Sequence, residues 1–237
     1  MTNFDYENIP IGYYDDVLQK GLDSGKGLQA NWHNKKFISV YELIKNRKKH
    51  LDFGCGPGTF IGNYSKIKSV GVDISKVQID FADKKYGDKF NFYNSIEHEK
   101  GFNEQNFDVI TMIELVEHLT DSEILKLLDD LYNLLEKDGI LVLTTPNFRS
   151  TYALIEIAVN IFGKVSYKDQ HINKFSKVRL GELLNQSKFK EVKISKILNY
   201  GIFFSFLNIR FALRVNNFFE KLFLNKFGFL LIVQLKK

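Results

Sequence analysis

The sequence predicts an α/β fold in which a seven-stranded, mostly parallel sheet is covered by helices on both faces. Three observations carry that expectation. Short apolar runs rich in β-branched residues alternate with longer helical patterns along the chain. The first such run ends in an acid and passes through a glycine turn into a helix start, Leu51-Asp52-Phe53-Gly54-Cys55-Gly56-Pro57-Gly58-Thr59-Phe60. About twenty residues later a second run, Val70-Gly71-Val72-Asp73, also ends in an acid, as in paired parallel strands that share a pocket at their carboxyl ends.

Strands are expected at about 50–53, 69–73, 90–94, 107–113, 139–144, 191–198 and 229–235, and helices at about 59–66, 75–86, 121–136, 149–161 and 177–186. In the helix at 121–136, Asp121 and Ser122 offer N-caps, Leu125, Leu128, Leu131 and Leu135 keep one apolar face, and Gly139 serves as terminator. The pattern reads as one domain: an N-terminal helical cap (1–45), a core (46–199), a helical insertion (200–226) and a last strand (227–237). No internal repeat, low-complexity stretch or linker interrupts it.

With 237 residues the chain can bury a large core, and its net charge of +5 permits an anionic partner without demanding nucleic acid. The one cysteine, Cys55, excludes an internal disulfide and fits a reducing compartment. Inside a glycine turn it reads as a small packed side chain, not a nucleophile. The first residues lack a basic region followed by an apolar run. The longest uncharged apolar stretches, 198–209 and 227–235, fall short of the roughly 20 residues a spanning helix needs. A soluble, cytoplasmic protein is expected.

Gly54, Gly56 and Gly58 let the backbone turn sharply and approach a ligand that side chains would block. Asp73 is placed to accept hydrogen bonds from both hydroxyls of a ribose. The dinucleotide fingerprint spaces its third glycine further on, which disfavours a nicotinamide dehydrogenase. With Asp52 ahead of it, Gly-x-Gly-x-Gly resembles motif I of the class I S-adenosylmethionine-dependent methyltransferases, which have a Rossmann-like fold. That resemblance implies S-adenosylmethionine as cofactor, with Asp52 toward the methionine amino group and the backbone of Gly54, Cys55 and Gly56 facing the methionine part. Asp73 would hold the ribose, Ile74 would pack on the adenine, and Asn94 and Ser95 would meet the adenine's polar edge.

After the fourth strand, Glu114, Glu117 and His118 stand at i, i+3 and i+4, which on a helical turn places them on one face. A second histidine, His171, follows in the polar loop Asp169-Gln170-His171-Ile172-Asn173-Lys174-Phe175. Three readings are open. Glu114 is a cofactor-side carboxylate with Glu117 and His118 capping or solvated. Alternatively, His118 or His171 is a metal-free general base with a carboxylate orienting its ring. In the third, Glu114, Glu117, His118 and His171 ligate a divalent cation. The Glu-x-x-Glu-His segment with its later histidine resembles the Mg²⁺ site of the small-RNA 3′-terminal 2′-O-methyltransferases, and the ubiquinone-pathway O-methyltransferases show a similar Glu-His segment. By matching position the resemblance implies Mg²⁺ or Mn²⁺ on those four residues.

A wider resemblance, to bacterial methyltransferases associated with surface-polysaccharide biosynthesis, runs through Ile9-Pro-Ile-Gly-Tyr-Tyr14, Gln29-Ala-Asn-Trp-His33, Thr144-Thr-Pro-Asn-Phe-Arg-Ser150 and Gln170-His-Ile-Asn-Lys-Phe175. It implies methylation of a hydroxyl or phosphate-type oxygen on a small-molecule, nucleotide-linked or glycan acceptor, with Tyr13, Tyr14, Trp32, His33 and Tyr167 as pocket residues. RNA ribose 2′-O-methylation and a catalytically inactive binding subunit are the alternatives. The first lacks a separate RNA-binding region or long basic stripe, and the intact acids Asp52 and Asp73 argue against the second. The segment 201–226 reads as a helical cover over the acceptor site, its Arg210, Arg214 and Lys221 facing solvent or an anionic acceptor. An interfacial membrane helix is disfavoured there, because the basic face is sparse and no second anchor is visible.

Overall fold

The computed structural model describes residues 9–95, 106–152, 155, 171–224 and 226–237. Its strands are β1 (Lys49–Phe53), β2 (Lys68–Asp73), β3 (Asn91–Asn94), β4 (Phe107–Ile113), β5 (Leu135–Pro146), β6 (Glu191–Ile197) and β7 (Leu230–Lys236). They form one sheet in the order β3-β2-β1-β4-β5-β7-β6. All neighbours are parallel except β7, which runs antiparallel to both β5 and β6. The seven-stranded, mostly parallel sheet expected from the sequence is therefore the one formed.

Side chains alternate between two buried faces, as a sheet covered on both sides requires. Ile110, Leu141 and Leu143 point toward α5 (Asp121–Leu134) and α6 (Lys177–Leu184), joining Ile124, Leu128, Leu131, Leu180 and Leu184 in one core. Val109, Ile140 and Val142 point the other way. There they meet Phe37, Val40 and Ile44 of α2 (Leu28–Ile44), Leu18 of α1 (Tyr13–Ser24) and Phe60 of α3 (Thr59–Tyr64). The remaining helix of the core, α4 (Lys76–Tyr86), packs Ile79 and Ala82 with Phe92 and Cys55.

Local chemistry moves several boundaries. The N-cap of α5 is Thr120, not Asp121 or Ser122: its hydroxyl accepts from the Glu123 amide while the Glu123 carboxylate accepts from the Thr120 amide, a reciprocal capping box. That helix stops at Leu134, because Leu135 already pairs with Phe107 across a register shift, so Gly139 lies within β5 and terminates no helix. Most of the helix expected at 149–161, with Tyr167, Asp169 and Gln170, lies outside the described residues. The 200–226 segment consists of a 3-10 turn (Tyr200–Phe206) and α7 (Ile209–Leu222). Both pack on α2, and Lys35 of α2 ties α7 in place by reaching Glu220 at 2.8 Å and Asn217 at 2.9 Å.

Candidate active site

From β1 the chain winds outward through β2 to β3, and from β4 it winds the other way to β5. A crevice therefore opens at the carboxyl ends of β1 and β4. The glycine turn closes one side of it. Gly54, Gly56 and Gly58 have φ of 79°, 52° and 71°, the left-handed region that side chains disfavour. The Gly54 and Cys55 amides both donate to the Val72 carbonyl, at 2.8 and 3.0 Å, which ties the turn to β2. A Cβ at Gly56 would meet nothing within 4 Å, so this residue faces open space, whereas one at Gly58 would strike Phe92 and Ala82. The Cys55 thiol is buried, and burial pushes its pKa well up, which fits packing and not nucleophilic chemistry.

Asp73, at the end of β2, accepts the Gly56 amide on one carboxylate oxygen and the Ser75 amide on the other, each at 2.8 Å. Burial raises its pKa, and these backbone bonds pull back against the shift. The carboxylate keeps lone pairs for further donors. Beyond it Ile74 is half exposed on the crevice wall. Asn94 donates to the Ile74 carbonyl at 2.8 Å, and the Ser95 amide donates to the Asp73 carbonyl at 2.9 Å, so both brace the corner that carries Asp73.

Asp52 sits beneath the turn, buried, with one oxygen accepting from the Thr111 hydroxyl at 2.5 Å. Burial, with a smaller push from Asp73, lifts its pKa to about 7 against the opposing pull of Thr111 and Lys36. Behind it runs a buried chain the sequence did not disclose: His50 Nε2 lies 2.8 Å from Thr111 Oγ1, and His50 Nδ1 lies 3.0 Å from Ser69 Oγ. Burial drops the His50 pKa to about 3, so the ring is neutral. Thr111 spends its proton on Asp52, so it accepts from Nε2–H, and Nδ1 is the acceptor. The available signal was positional: His50 and Asp52, two apart on β1, share a face.

Across the crevice, Glu114 follows β4 with a left-handed φ of 53°, its amide held by the Thr144 carbonyl at 3.0 Å. Its carboxylate accepts from Trp32 Nε1 at 3.2 Å and is ion-paired with the buried Lys36. Burial would raise its pKa, but Lys36, His33 and the bonds from Lys36 and Trp32 outweigh it and hold it low. Lys36 also lies 3.1 Å from His33 Nδ1, and burial together with Lys36 lowers His33 to about 3. Lys36 escaped the sequence reading because it looks like one of two solvated lysines. Its spacing of four from Trp32 was the usable sign.

Glu117 and His118 lie in the 3-10 turn Val116–His118. The Asn173 amide donates to the Glu117 carbonyl at 3.0 Å and its side chain donates to the Leu119 carbonyl at 2.6 Å, which docks the His171 loop on this turn. As a result Glu117, His118 and His171 bring ligand atoms within 4.8 Å of one another, with the two imidazole centroids 5.2 Å apart. Glu117 is buried, its Oε2 has no hydrogen-bond partner, and burial plus the Glu114 charge raise its pKa to about 8. Of the four residues expected to converge, three do. Glu114 stands apart with Lys36 and Trp32, because residues 114–118 form an αL position followed by a 3-10 turn in place of one α-helical face.

Tyr13, Tyr14, Trp32 and His33 line the α1–α2 side. Tyr14 meets His33 edge-on at 5.4 Å, and Trp32 lies parallel to Phe229 at 6.4 Å and beside Tyr152 at 5.7 Å. Tyr13 donates to Gln29 at 3.1 Å. Phe229 and Tyr152 were not foreseen as members of this aromatic wall.

Sheet order and glycine turn define the class I, S-adenosylmethionine-dependent methyltransferases. A profile described as a methyltransferase domain matches residues 30–194, and the chain belongs to that family; it is a methyltransferase enzyme that uses S-adenosylmethionine. It is similar to a ubiquinone biosynthesis O-methyltransferase of Actinobacillus pleuropneumoniae serotype 7 (strain AP76), 27% identical over 213 residues that cover 78% of this chain and 89% of that protein. In fold it is similar to a SAM-dependent methyltransferase from Archaeoglobus fulgidus, with TM-score 0.59, 24% identity and 87% and 94% of the two chains covered. It is also similar to the plantazolicin methyltransferase BpumL, solved with SAH, with TM-score 0.62, 19% identity and 100% and 91% coverage.

Proposed function

We propose that this methyltransferase methylates a hydroxyl oxygen on a ring-bearing small-molecule or glycan precursor, assisted by a divalent cation held by Glu117, His118 and His171. The observation that carries the reading is the buried Glu117 Oε2, without a hydrogen-bond partner beside two imidazoles, since a buried polar oxygen left unpaired is costly. One carboxylate and two imidazoles fit Mn²⁺ ahead of Mg²⁺, whose preference is for oxygen donors. The aromatic wall of Trp32, Tyr152 and Phe229 supports a flat or sugar-like ring in the acceptor. The O-methyltransferase among the similar proteins supports oxygen as the methylated atom. The surface-polysaccharide assignment rests on the segment resemblances in the sequence.

When bound, S-adenosylmethionine supplies an electrophilic methyl group on a sulfonium leaving group. The cradle that fits it is the open space at Gly56, where no side chain intrudes, and the buried Asp52, whose charged form burial disfavours more than Thr111 and Lys36 offset. Asp52, once ionised, would hold the methionine ammonium, Asp73 would take the ribose hydroxyls, and Ile74 would pack on the adenine, while Asn94 and Ser95 fix that corner. Trp32 and Tyr152 orient the acceptor, the buried Phe229 backs the Trp32 ring, and Glu114 holds α2 against β4 so that they stay in register with the crevice. A cation on Glu117, His118 and His171 would lower the pKa of the acceptor hydroxyl. In the metal-free alternative, His118 or His171 takes the hydroxyl proton at a ring nitrogen.

The test is Mn²⁺ binding followed by electron paramagnetic resonance, together with S-adenosylhomocysteine release from a panel of sugar-nucleotide and phenolic acceptors. Specific Mn²⁺ binding lost in Glu117→Gln, with turnover abolished by EDTA and restored by Mn²⁺, is the expected result. Full activity in EDTA with no metal by elemental analysis would return the proton transfer to His118 or His171 as plain bases.

A further inference from the structure

The segment after Asn199 uses little of its apolar surface for packing. Only Ile209, Ala212 and Asn216 of α7 are buried. Phe211, Phe218 and Leu222, spaced seven and four apart, make a second stripe that faces outward, with Phe218 and Leu222 62% and 59% exposed. Arg210, Arg214 and Lys221, spaced four and seven apart, make a third, exposed and directly alongside it. The stripe is extended at both ends. Phe206 of the preceding 3-10 turn is 67% exposed, and Leu224, just past the helix, is 77% exposed. The Phe223 and Phe227 rings meet edge-on at 5.3 Å beyond it. So broad an outward apolar surface on a folded chain marks a contact surface.

Charge decides what it contacts. Glu220 is the sole acid between Tyr200 and Phe227, and it is turned inward onto Lys35 at 2.8 Å. At the Leu224 end the surface runs into a cleft of about 490 Å³ lined by Lys177, Lys196 and Lys226. A second copy of this chain would bring the same cations against themselves, since a two-fold contact pairs a patch with itself. A bilayer with anionic headgroups accepts both features at once, aromatic rings entering the interface and long cationic side chains reaching the phosphates. The second anchor that the sequence did not reveal is supplied by Phe206 on one side and Leu224 and Phe227 on the other. Among the described residues no helix is long and apolar enough to cross a membrane.

We propose that the outward face of α7, with Phe206 and Leu224 at its ends, docks the enzyme on an anionic membrane surface. Flotation of the full chain with vesicles of equimolar phosphatidylglycerol and phosphatidylcholine, and with phosphatidylcholine vesicles, tests this. The protein should float with the mixed vesicles, less so as salt is raised, and weakly with phosphatidylcholine. Phe218→Glu combined with Leu222→Glu should abolish flotation. Arg210→Gln, Arg214→Gln and Lys221→Gln together should weaken it by about a hundredfold, about a factor of five per cation. S-adenosylhomocysteine affinity should be unchanged in both variants, which establishes that they are folded. Absence of flotation at low salt would overturn the proposal, as would equal binding to both vesicle types that neither variant reduces. A concentration-dependent dimer in sedimentation that Phe218→Glu dissolves would overturn it too, assigning the stripe to a second copy.

Discussion

Titrating S-adenosylhomocysteine into the protein across neutral pH interrogates Asp52 directly. Its carboxyl is buried and held at about 7, well above the usual aspartate range, chiefly because the charged form is desolvated. The folded pKa is raised, so the favourable contribution of the protonated group is full below the unfolded value of 3.8 and is lost as pH rises through about 7. An ammonium group on the ligand reverses that balance, because it needs the ionised form. With a pKa of about 7, roughly one tenth of the sites are ionised near pH 6 and roughly three quarters near pH 7.5, so affinity should rise about eightfold over that interval. Isothermal titration at several pH values reads the slope and the proton released on binding. Asp52→Asn should flatten the slope and weaken binding by about 2–3 kcal/mol, the scale of a hydrogen bond to a charged group. A flat profile for the natural protein would refute the reasoning. So would an unchanged slope in Asp52→Asn, which would place the titrating group elsewhere.

Lys36→Met should destabilise the fold by about 1–3 kcal/mol by leaving the partly buried Glu114 without its charged partner. Lys36→Met combined with Glu114→Gln should recover most of that loss in denaturant melts. Gly58→Ala should lose about 2–5 kcal/mol of stability from its left-handed backbone and the clash with Phe92 and Ala82. Gly56→Ala should lose only about 1–2 kcal/mol of stability, yet weaken S-adenosylhomocysteine binding, since its new methyl group enters open space; comparing melting and titration for the pair checks this. Mn²⁺ affinity should climb with pH up to about 8, where Glu117 ionises; a plateau already near pH 7 would count against Glu117 as a ligand.

The sheet and the glycine turn were legible in the sequence because both are local. Short apolar runs rich in β-branched residues declare strands, and a left-handed turn declares itself through glycine. The acids Asp52 and Asp73 could be placed for the same reason, each lying at the carboxyl end of its own strand. Helix boundaries were harder where two local solutions compete: the Thr120–Glu123 box displaced Asp121 as cap, and pairing with Phe107 converted Leu135 from helix to strand. What only the tertiary structure decided are relations between distant segments. Lys36 and Glu114 are 78 positions apart, and nothing local shows that α2 delivers a cation to the end of β4. Glu114 was read with Glu117 because helical spacing joins them on paper, while the real backbone turns through αL and parts them. His50 became the support of Asp52 only when parallel register set Ser69 and Thr111 on either side of it. The outward stripe of α7 could not be distinguished from core by its pattern, since the apolar spacing is the same for both. Which face is buried depends on what packs against it, and here that is α2 with its Lys35.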